Sequence, residues 1–360
     1  MGLIERRTLY EKIESHRKRP LLAYVTSKRD GVDASMATDA LPCLIDQLDS
    51  LPNNTTELDF LIVSFGGDPM VAWRIISLIR ERGIDHVSVL IPQSAYSAAT
   101  LLAIGANEII MHPNGHLGPI DMQITTFSEG TPRQFSTEDI SAFLDFVREN
   151  LGITDQKHLR ALFEVTCKEV GSIGVGFTAR NSRLAMSMAE RLLEMHKDDE
   201  DGVKNKALVK SLACQFHSHS YPVNRTEALE IGLDVKQDRD PALEQLMWEL
   251  WLDIEAELKE RQPFSPILEL MSSAEAPKLL SDVPQLCAPP IHDAMETGRS
   301  PPSSLQISPV DFEQVVAVME SSRLANRSVF RGKILSCRLP DLNIQYNVIA
   351  TYRGWEGPRL

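Results

Sequence analysis

Between residues 21 and 111 short apolar runs alternate with helix-like segments, and that alternation restricts the chain to a small set of folds. Leu21–Thr26 (LLAYVT), Asp59–Phe65 (DFLIVSF), His86–Pro92 (HVSVLIP) and Glu108–Met111 (EIIM) are too short and too apolar for surface helices and read as buried strands. Asp33–Asp49, Met70–Arg82 and Ala95–Ala106 between them carry helical spacing. Strands and helices in this order imply βαβ units and a mostly parallel sheet. The spacing predicts a further amphipathic helix over 3–18. It predicts a mainly helical stretch from Ser136 to Leu258, with helices over 153–170, 178–197, 207–217, 226–233 and 241–261. Pro309–Ser321 reads as a helix. Residues 328–352 read as a β-hairpin turning at Pro340-Asp341.

The expected organisation is an N-terminal helix over 1–19, a main α/β domain over 20–262, a Pro/Ser-rich linker over 263–308 and a small α+β extension over 309–360. At 360 residues, with 43% hydrophobic and 24% charged residues, the chain can bury a large core. A net charge of −13 gives no basic footprint for nucleic acid. The five cysteines form no CxxC pair, so neither a zinc site nor a disulfide framework is expected, and a reducing, cytoplasmic setting is the simplest reading. No run approaches the length of a membrane span, which leaves peripheral membrane contact as the one membrane association to expect. No cofactor and no metal are expected.

Two loops carry candidate chemistry. Ser64-Phe65-Gly66-Gly67-Asp68-Pro69 directly follows a buried strand, and its glycines let main-chain N–H groups approach a bound group. An oxyanion hole needs such donors, because acyl transfer places negative charge on a former carbonyl oxygen. Gln93-Ser94-Ala95-Tyr96-Ser97-Ala98 places Ser97 near a helix N-terminus, where the dipole favours negative charge and the Ala98 N–H can donate. Taken singly, the first loop is also a plain strand-to-helix turn, and Ser94 or Ser97 is also an ordinary N-cap. Taken together, they follow neighbouring strands at the carboxyl edge of a parallel sheet, where ligands bind.

The segments LIVSFGGDP, VLIPQSAYSAATLLAIGANEIIM and GHLGPIDMQI resemble the prokaryotic serine dehydrogenase proteinase family. That family is related to the signal peptide peptidases within the Clp-protease/crotonase superfamily. The likeness extends over about residues 20–260, through SHSYPVNRTEALEIGLDV, and less distinctively into SRLANRSVFRGKILSCRLPDL. It implies a Clp-protease/crotonase-like α/β fold: a parallel sheet with ββα-type units, a helical second half and a small C-terminal β-hairpin extension. It implies Ser97 as the nucleophile and Gly66, Gly67 and Ala98 as the oxyanion-hole region. It also implies a peptide or unfolded-protein substrate and a homo-oligomer.

A serine hydroxyl needs a base. The histidine that Clp-type proteases carry after a segment like Pro113-Asn114-Gly115 is missing, since the stretch there reads GPIDMQI. His112 and His116 precede it, and Asp121 could orient a partner or cap a turn. In the lysine-using relatives the base lies further downstream, and Lys157 is the only lysine between 137 and 157, with Lys168 as a weaker choice. His217 and His219 flank Ser218, where the resemblance implies a recurrent Ser-His pair. Three functions follow: a serine peptidase working through a Ser97 acyl-enzyme, a catalytically inactive peptidase-like module used for oligomerisation or binding, and acyl-CoA chemistry that would not need Ser97.

Overall fold

The computed structural model describes residues 3–120, 123–128, 131–197, 202–216, 218–280, 305–339 and 343–359. Helix α1 (Leu3–Arg17) leads into β1 (Leu21–Thr26). Then come α2 (Leu41–Asp49), β2 (Glu57–Val63), α3 (Pro69–Glu81), β3 (His86–Ile91), the two-residue β4 (Ser94–Ala95), α4 (Ala98–Ile104) and β5 (Glu108–Met111). Strands β1, β2, β3 and β5 lie parallel and adjacent in that order. Their carboxyl edge therefore collects the segments that follow each strand, including Ser64–Pro69 and Gln93–Ser97.

Alternation within each strand divides the core between the two faces of the sheet. Leu22, Tyr24, Phe60, Ile62, Val89 and Ile91 face the side covered by α2, α3 and α4. Leu21, Ala23, Val25, Leu61, Val63 and Leu90 face α1 and a later long helix. Both faces being covered explains why these strands are apolar throughout rather than alternating.

A second, small sheet sits over the carboxyl edge. It pairs β4 with β6 (His116–Leu117) and β6 with β9 (Val223–Asn224). Between β6 and β9 the chain makes the hairpin β7 (Gln123–Ser128) and β8 (Thr131–Ser136), followed by α5 (Thr137–Asp145), α6 (Gln156–Val170), α7 (Ser172–Glu194) and α8 (Val203–Cys214). A capping box of Ser136 with Asp139 starts α5, and Asp155 caps α6. After β9 come α9 (Arg225–Glu230), α10 (Pro241–Leu258), α11 (Pro266–Ser272) and α12 (Ala276–Leu280). The last strands are β10 (Leu305–Gln306), β11 (Val310–Ser321), β12 (Ala325–Arg338) and β13 (Ile344–Arg359).

Three expectations change. Pro309–Ser321 is not a helix: β11 lies antiparallel between β1 and β12, so the C-terminal strands continue the main sheet. Its VVAVM run is apolar because both faces are covered, a pattern that periodicity alone cannot tell from a buried helix. Asp33–Ala37 is also not helical. Met36 there bridges to Gly67, and the helix begins only near Leu41. Residues 95–97 form strand and turn, with helix starting at Ala98. The hairpin expected over 328–352 is present as β12 and β13; its Pro340-Asp341 turn lies outside the described residues, as do Asp121, His217 and positions 281–304 of the linker. Among the described residues no helix is long and apolar enough to cross a membrane.

Helix α1 is fastened by charge as well as by packing. The Arg6 side chain is wholly buried and bonds Asp253 and Glu257 on α10 and Glu320 on β11, the last at 2.7 Å. Tyr10 donates to the same Glu320 at 2.9 Å. Burial pushes the Glu320 carboxyl's pKa up despite the guanidinium beside it. Removing Arg6 would strip the buried Glu320 of its cation, while Glu257 keeps Arg327 at 2.7 Å. Arg6→Met is expected to lower stability by about 3–5 kcal/mol, measured by chemical denaturation, with the loss partly recovered in the Arg6→Met, Glu320→Gln double variant.

Candidate active site

Sheet geometry brings the two loops together at one point. Ser64 and Ala95 form a bridge, with the Ser64 N–H donating to Ser94 O and the Tyr96 N–H to Ser64 O, each at 2.9 Å. This zips the end of β2 to β4. The next residues on each side, Phe65 and Tyr96, bring their rings together, with centroids 5.0 Å apart and planes tilted by 33°. One residue further on, Gly66 lies against Ser97. A Cβ on Gly66 would stand 2.7 Å from the Ser97 Cβ and 3.0 Å from the Ala98 nitrogen, so only glycine fits.

The loop is held from the far side by Met36. Its N–H donates to Gly66 O at 2.7 Å, and its carbonyl accepts the Asp68 N–H at 2.9 Å. A trans peptide points its C=O and N–H in opposite directions. With Gly66 O turned to Met36, the Gly67 N–H is turned away from Met36. The Gly66 N–H is already given to Ser64 Oγ at 3.1 Å. Among the described residues, the N–H groups of Gly67 and Ala98 have no acceptor. The sequence pointed to the glycine pair as a unit. In the structure Gly66 permits the approach to Ser97, whereas Gly67, where a Cβ would stand 2.3 Å from Met36 O, permits the approach to Met36 and carries the free donor.

Ser97 has φ 52° and ψ −114°, outside the ordinary left-handed well. Such a conformation costs about 1–3 kcal/mol in a non-glycine residue and persists only where its surroundings fix it. Here they do. The Tyr96 ring is flanked by Phe65 on one side and by the edge of His116 at 5.2 Å on another. It also closes on Gly118, where a Cβ would come within 1.8 Å of Tyr96 Cδ1. Thr100 Oγ1 donates to Ala95 O at 2.7 Å and also lies 2.8 Å from Gly118 O, tying the two segments behind the serine. Ser97 occupies the N-cap position of α4, its carbonyl accepting the Leu101 N–H at 3.0 Å, but its hydroxyl makes no cap hydrogen bond, and among the described residues that hydroxyl has no hydrogen-bond partner.

The candidate bases are dispersed. Lys157 is exposed in the first turn of α6, where its N–H is held by Asp155 Oδ1, and no hydrogen bond joins it to Ser97. Lys168 is exposed in the last turn of α6. His112 stacks flat on Trp248 at 4.9 Å, and its Nδ1 accepts the Asn114 N–H. His116 Nδ1 lies 3.3 Å from Asn114 O. Burial pushes both imidazoles' pKa values down. His219 lines a cavity of about 440 Å³ with Pro119, Cys214, Phe216 and Ser218. The residues that sequence reasoning missed are Met36, Phe65, Tyr96 and Gly118. The glycine of L-G-P-I-D was visible as a motif, but its packing against a tyrosine twenty-two positions away was not.

Two outcomes follow from this geometry. Gly118→Ala displaces the Tyr96 ring and with it the serine turn, so labelling of Ser97 by a fluorophosphonate probe is expected to fall by about tenfold or more while circular dichroism stays native. Ser97→Gly relieves the backbone strain, so it should be more stable than Ser97→Ala by about 1 kcal/mol, measured by denaturant titration.

Residues 45–132 match the family model of the ClpP-like SDH-type serine proteinases. Two uncharacterized proteins of Methanocaldococcus jannaschii are similar over 178 residues. MJ1495 is 25% identical and MJ0137 is 27% identical, each over 49% of this chain. The chain spans about half the length of these curated relatives, 51% and 53%. Among solved structures, a mutant of the 1510-N membrane-bound stomatin-specific protease aligns at 13% identity with a TM-score of 0.38, over 62% of this chain and 83% of that one. A probable enoyl-CoA hydratase/isomerase from Mycobacterium abscessus aligns at 13% identity with a TM-score of 0.23, over 54% and 87%. The matched segment, residues 45–132, includes both Gly66-Gly67 and Ser97.

Proposed function

We propose that this chain is a serine peptidase in which Ser97 Oγ attacks a peptide carbonyl to give an acyl-enzyme. The observation that carries the reading is the apposition of Gly66 to Ser97, with the Gly67 and Ala98 N–H groups both unoccupied beside it. In this reading those two amides receive the oxyanion that forms when Oγ adds to the carbonyl, and Gly66 supplies the clearance. Removal of one such donor in a preorganised site typically costs about 10²–10³ in rate. The Ser97 proton passes to a base and then to the leaving amine, and water releases the acyl group by the reverse sequence.

The base assigned here is Lys157. It rides on α6, next to a helical surface that exposes Phe143, Phe146, Phe163, Ile173 and Phe177. An apolar face of this kind supports self-association, so the proposed working form is a homo-oligomer in which α5 to α7 are covered and Lys157 can be repositioned. The substrate class proposed is a peptide or an unfolded protein chain.

A second reading has its own support. The Ser97 hydroxyl has no hydrogen-bond partner among the described residues, as expected of a peptidase-like module that has lost its base and serves in binding. Fluorophosphonate labelling separates the two. The peptidase reading expects wild type to label, Ser97→Ala to lose labelling, and Lys157→Met to slow it by about tenfold or more while Lys168→Met does not. Wild type that fails to label at any protein concentration leaves the binding module.

A further inference from the structure

The wall beside Ser97 is built from side chains that neither the fold nor the proposed chemistry requires to be exposed. Phe65 is 48% exposed although it directly precedes the buried Gly66. Its ring packs at a tilt against Tyr96, centroids 5.0 Å apart, and Tyr96 meets His116 edge-to-face at 5.2 Å. At the free end of this row, Lys28 Nζ lies over the Phe65 ring, 5.1 Å from its centroid. Lys28 comes from the loop after β1, so it stands on the same carboxyl edge as the two site loops. Its ammonium also contributes to holding the His116 pKa down.

Because the packed pair Phe65–Tyr96 sits one residue before the apposed pair Gly66–Ser97, an acyl group on Ser97 with its oxygen at the Gly67 and Ala98 amides would lie alongside these rings. Among the described residues Lys28 Nζ makes its contact with the Phe65 ring and no ion pair with a carboxylate. Glu260 is turned instead to the Lys28 main-chain N–H, at 3.2 Å. Asp68, the nearest acid in the glycine loop, caps α3 through the Met70 N–H at 2.9 Å. The wall is therefore an aromatic shelf ending in an ammonium that makes no direct ion pair, although its charge reaches the Glu260 carboxylate, in a chain of net charge −13.

We propose that Phe65 and Lys28 form a specificity subsite for a peptide carrying a carboxylate close to the scissile bond. This rests on the Ser97 peptidase reading. The methylenes of the bound residue lie across the Phe65 ring, and its carboxylate meets Lys28 Nζ. The carboxylate can come from an acidic side chain or from a free peptide C-terminus; the shelf and the ammonium serve either.

The test uses the full-length chain and fluorogenic peptides that differ at one position flanking the cleaved bond, carrying Glu, Gln or Lys, each with a free or an amidated C-terminus. The Glu peptide should be cleaved with kcat/KM about fivefold or more above the Lys peptide at low ionic strength, with the ratio shrinking in high salt. Lys28→Glu should abolish or reverse that ratio, Lys28→Arg should keep it, and Lys333→Glu, on β12, should leave it unchanged. A preference for Glu over Gln that persists with the terminus amidated marks the carboxylate as a side chain; a preference for free over amidated peptides whatever the flanking residue marks it as the chain terminus. Wild-type cleavage that distinguishes neither Glu from Lys nor free from amidated termini, or an unaltered preference in Lys28→Glu, overturns the subsite while leaving Ser97 as the nucleophile. Absence of Ser97-dependent labelling and cleavage overturns both.

Discussion

Gly66 approaches Ser97 more closely than any side chain would allow, and the site depends on that approach. A methyl group on Gly66 would meet the serine Cβ, the Tyr96 carbonyl and the Ala98 nitrogen together. Everything that fixes the approach lies in the framework. The bridge between Ser64 and Ala95 sets the register of the two loops, and Met36 clamps the glycine loop from behind. Tyr96, held against Gly118, keeps Ser97 in a conformation it would not adopt alone. The strain at Ser97 is thus maintained by packing that is itself rigid, because both faces of the parallel sheet are covered.

The frame extends well beyond the segment that matches the family model. Strand β11 adds to the edge strand β1, and Glu320 at its end joins Tyr10 and Arg6 of the first helix. Residues more than three hundred positions apart therefore meet in one buried ionic cluster. Arg29, in the same loop as Lys28, bonds Gln314 of β11. This connects the loop carrying Lys28 to the C-terminal strands, so the wall beside Ser97 depends on the end of the chain as well as on its middle.

Legibility in the sequence followed burial. The strands at 21–26, 59–65, 86–92 and 108–111 were readable because a fully covered parallel strand is apolar throughout and bounded by glycine, proline or asparagine. The same property concealed β11, whose VVAVM run fits a buried helix equally well. Asp33–Ala37 carried helical spacing, yet its main chain is drawn into a bridge with Gly67, and the hydrogen bonds of that bridge outweigh a weak local preference. At the site, Ser97 and the glycine pair were legible because their positions after buried strands and their small neighbours leave few other uses. The aromatic wall was not, since Phe65, Tyr96 and His116 become neighbours only when three separate segments align on one edge.

The sequence by itself determined a mostly parallel α/β core and placed Ser97, Gly66, Gly67 and Ala98 in two loops at the ends of buried strands, because hydrophobic period and glycine placement are local properties of the chain. Only the tertiary structure decided which amide of the glycine pair is free, that Ser97 starts α4 with a strained backbone and a hydroxyl that does not cap it, and that Lys28 stands over Phe65 while Lys157 lies exposed on α6. Those outcomes depend on the direction of a peptide plane and on contacts between segments far apart in the chain, and such contacts leave no periodic trace in any one segment.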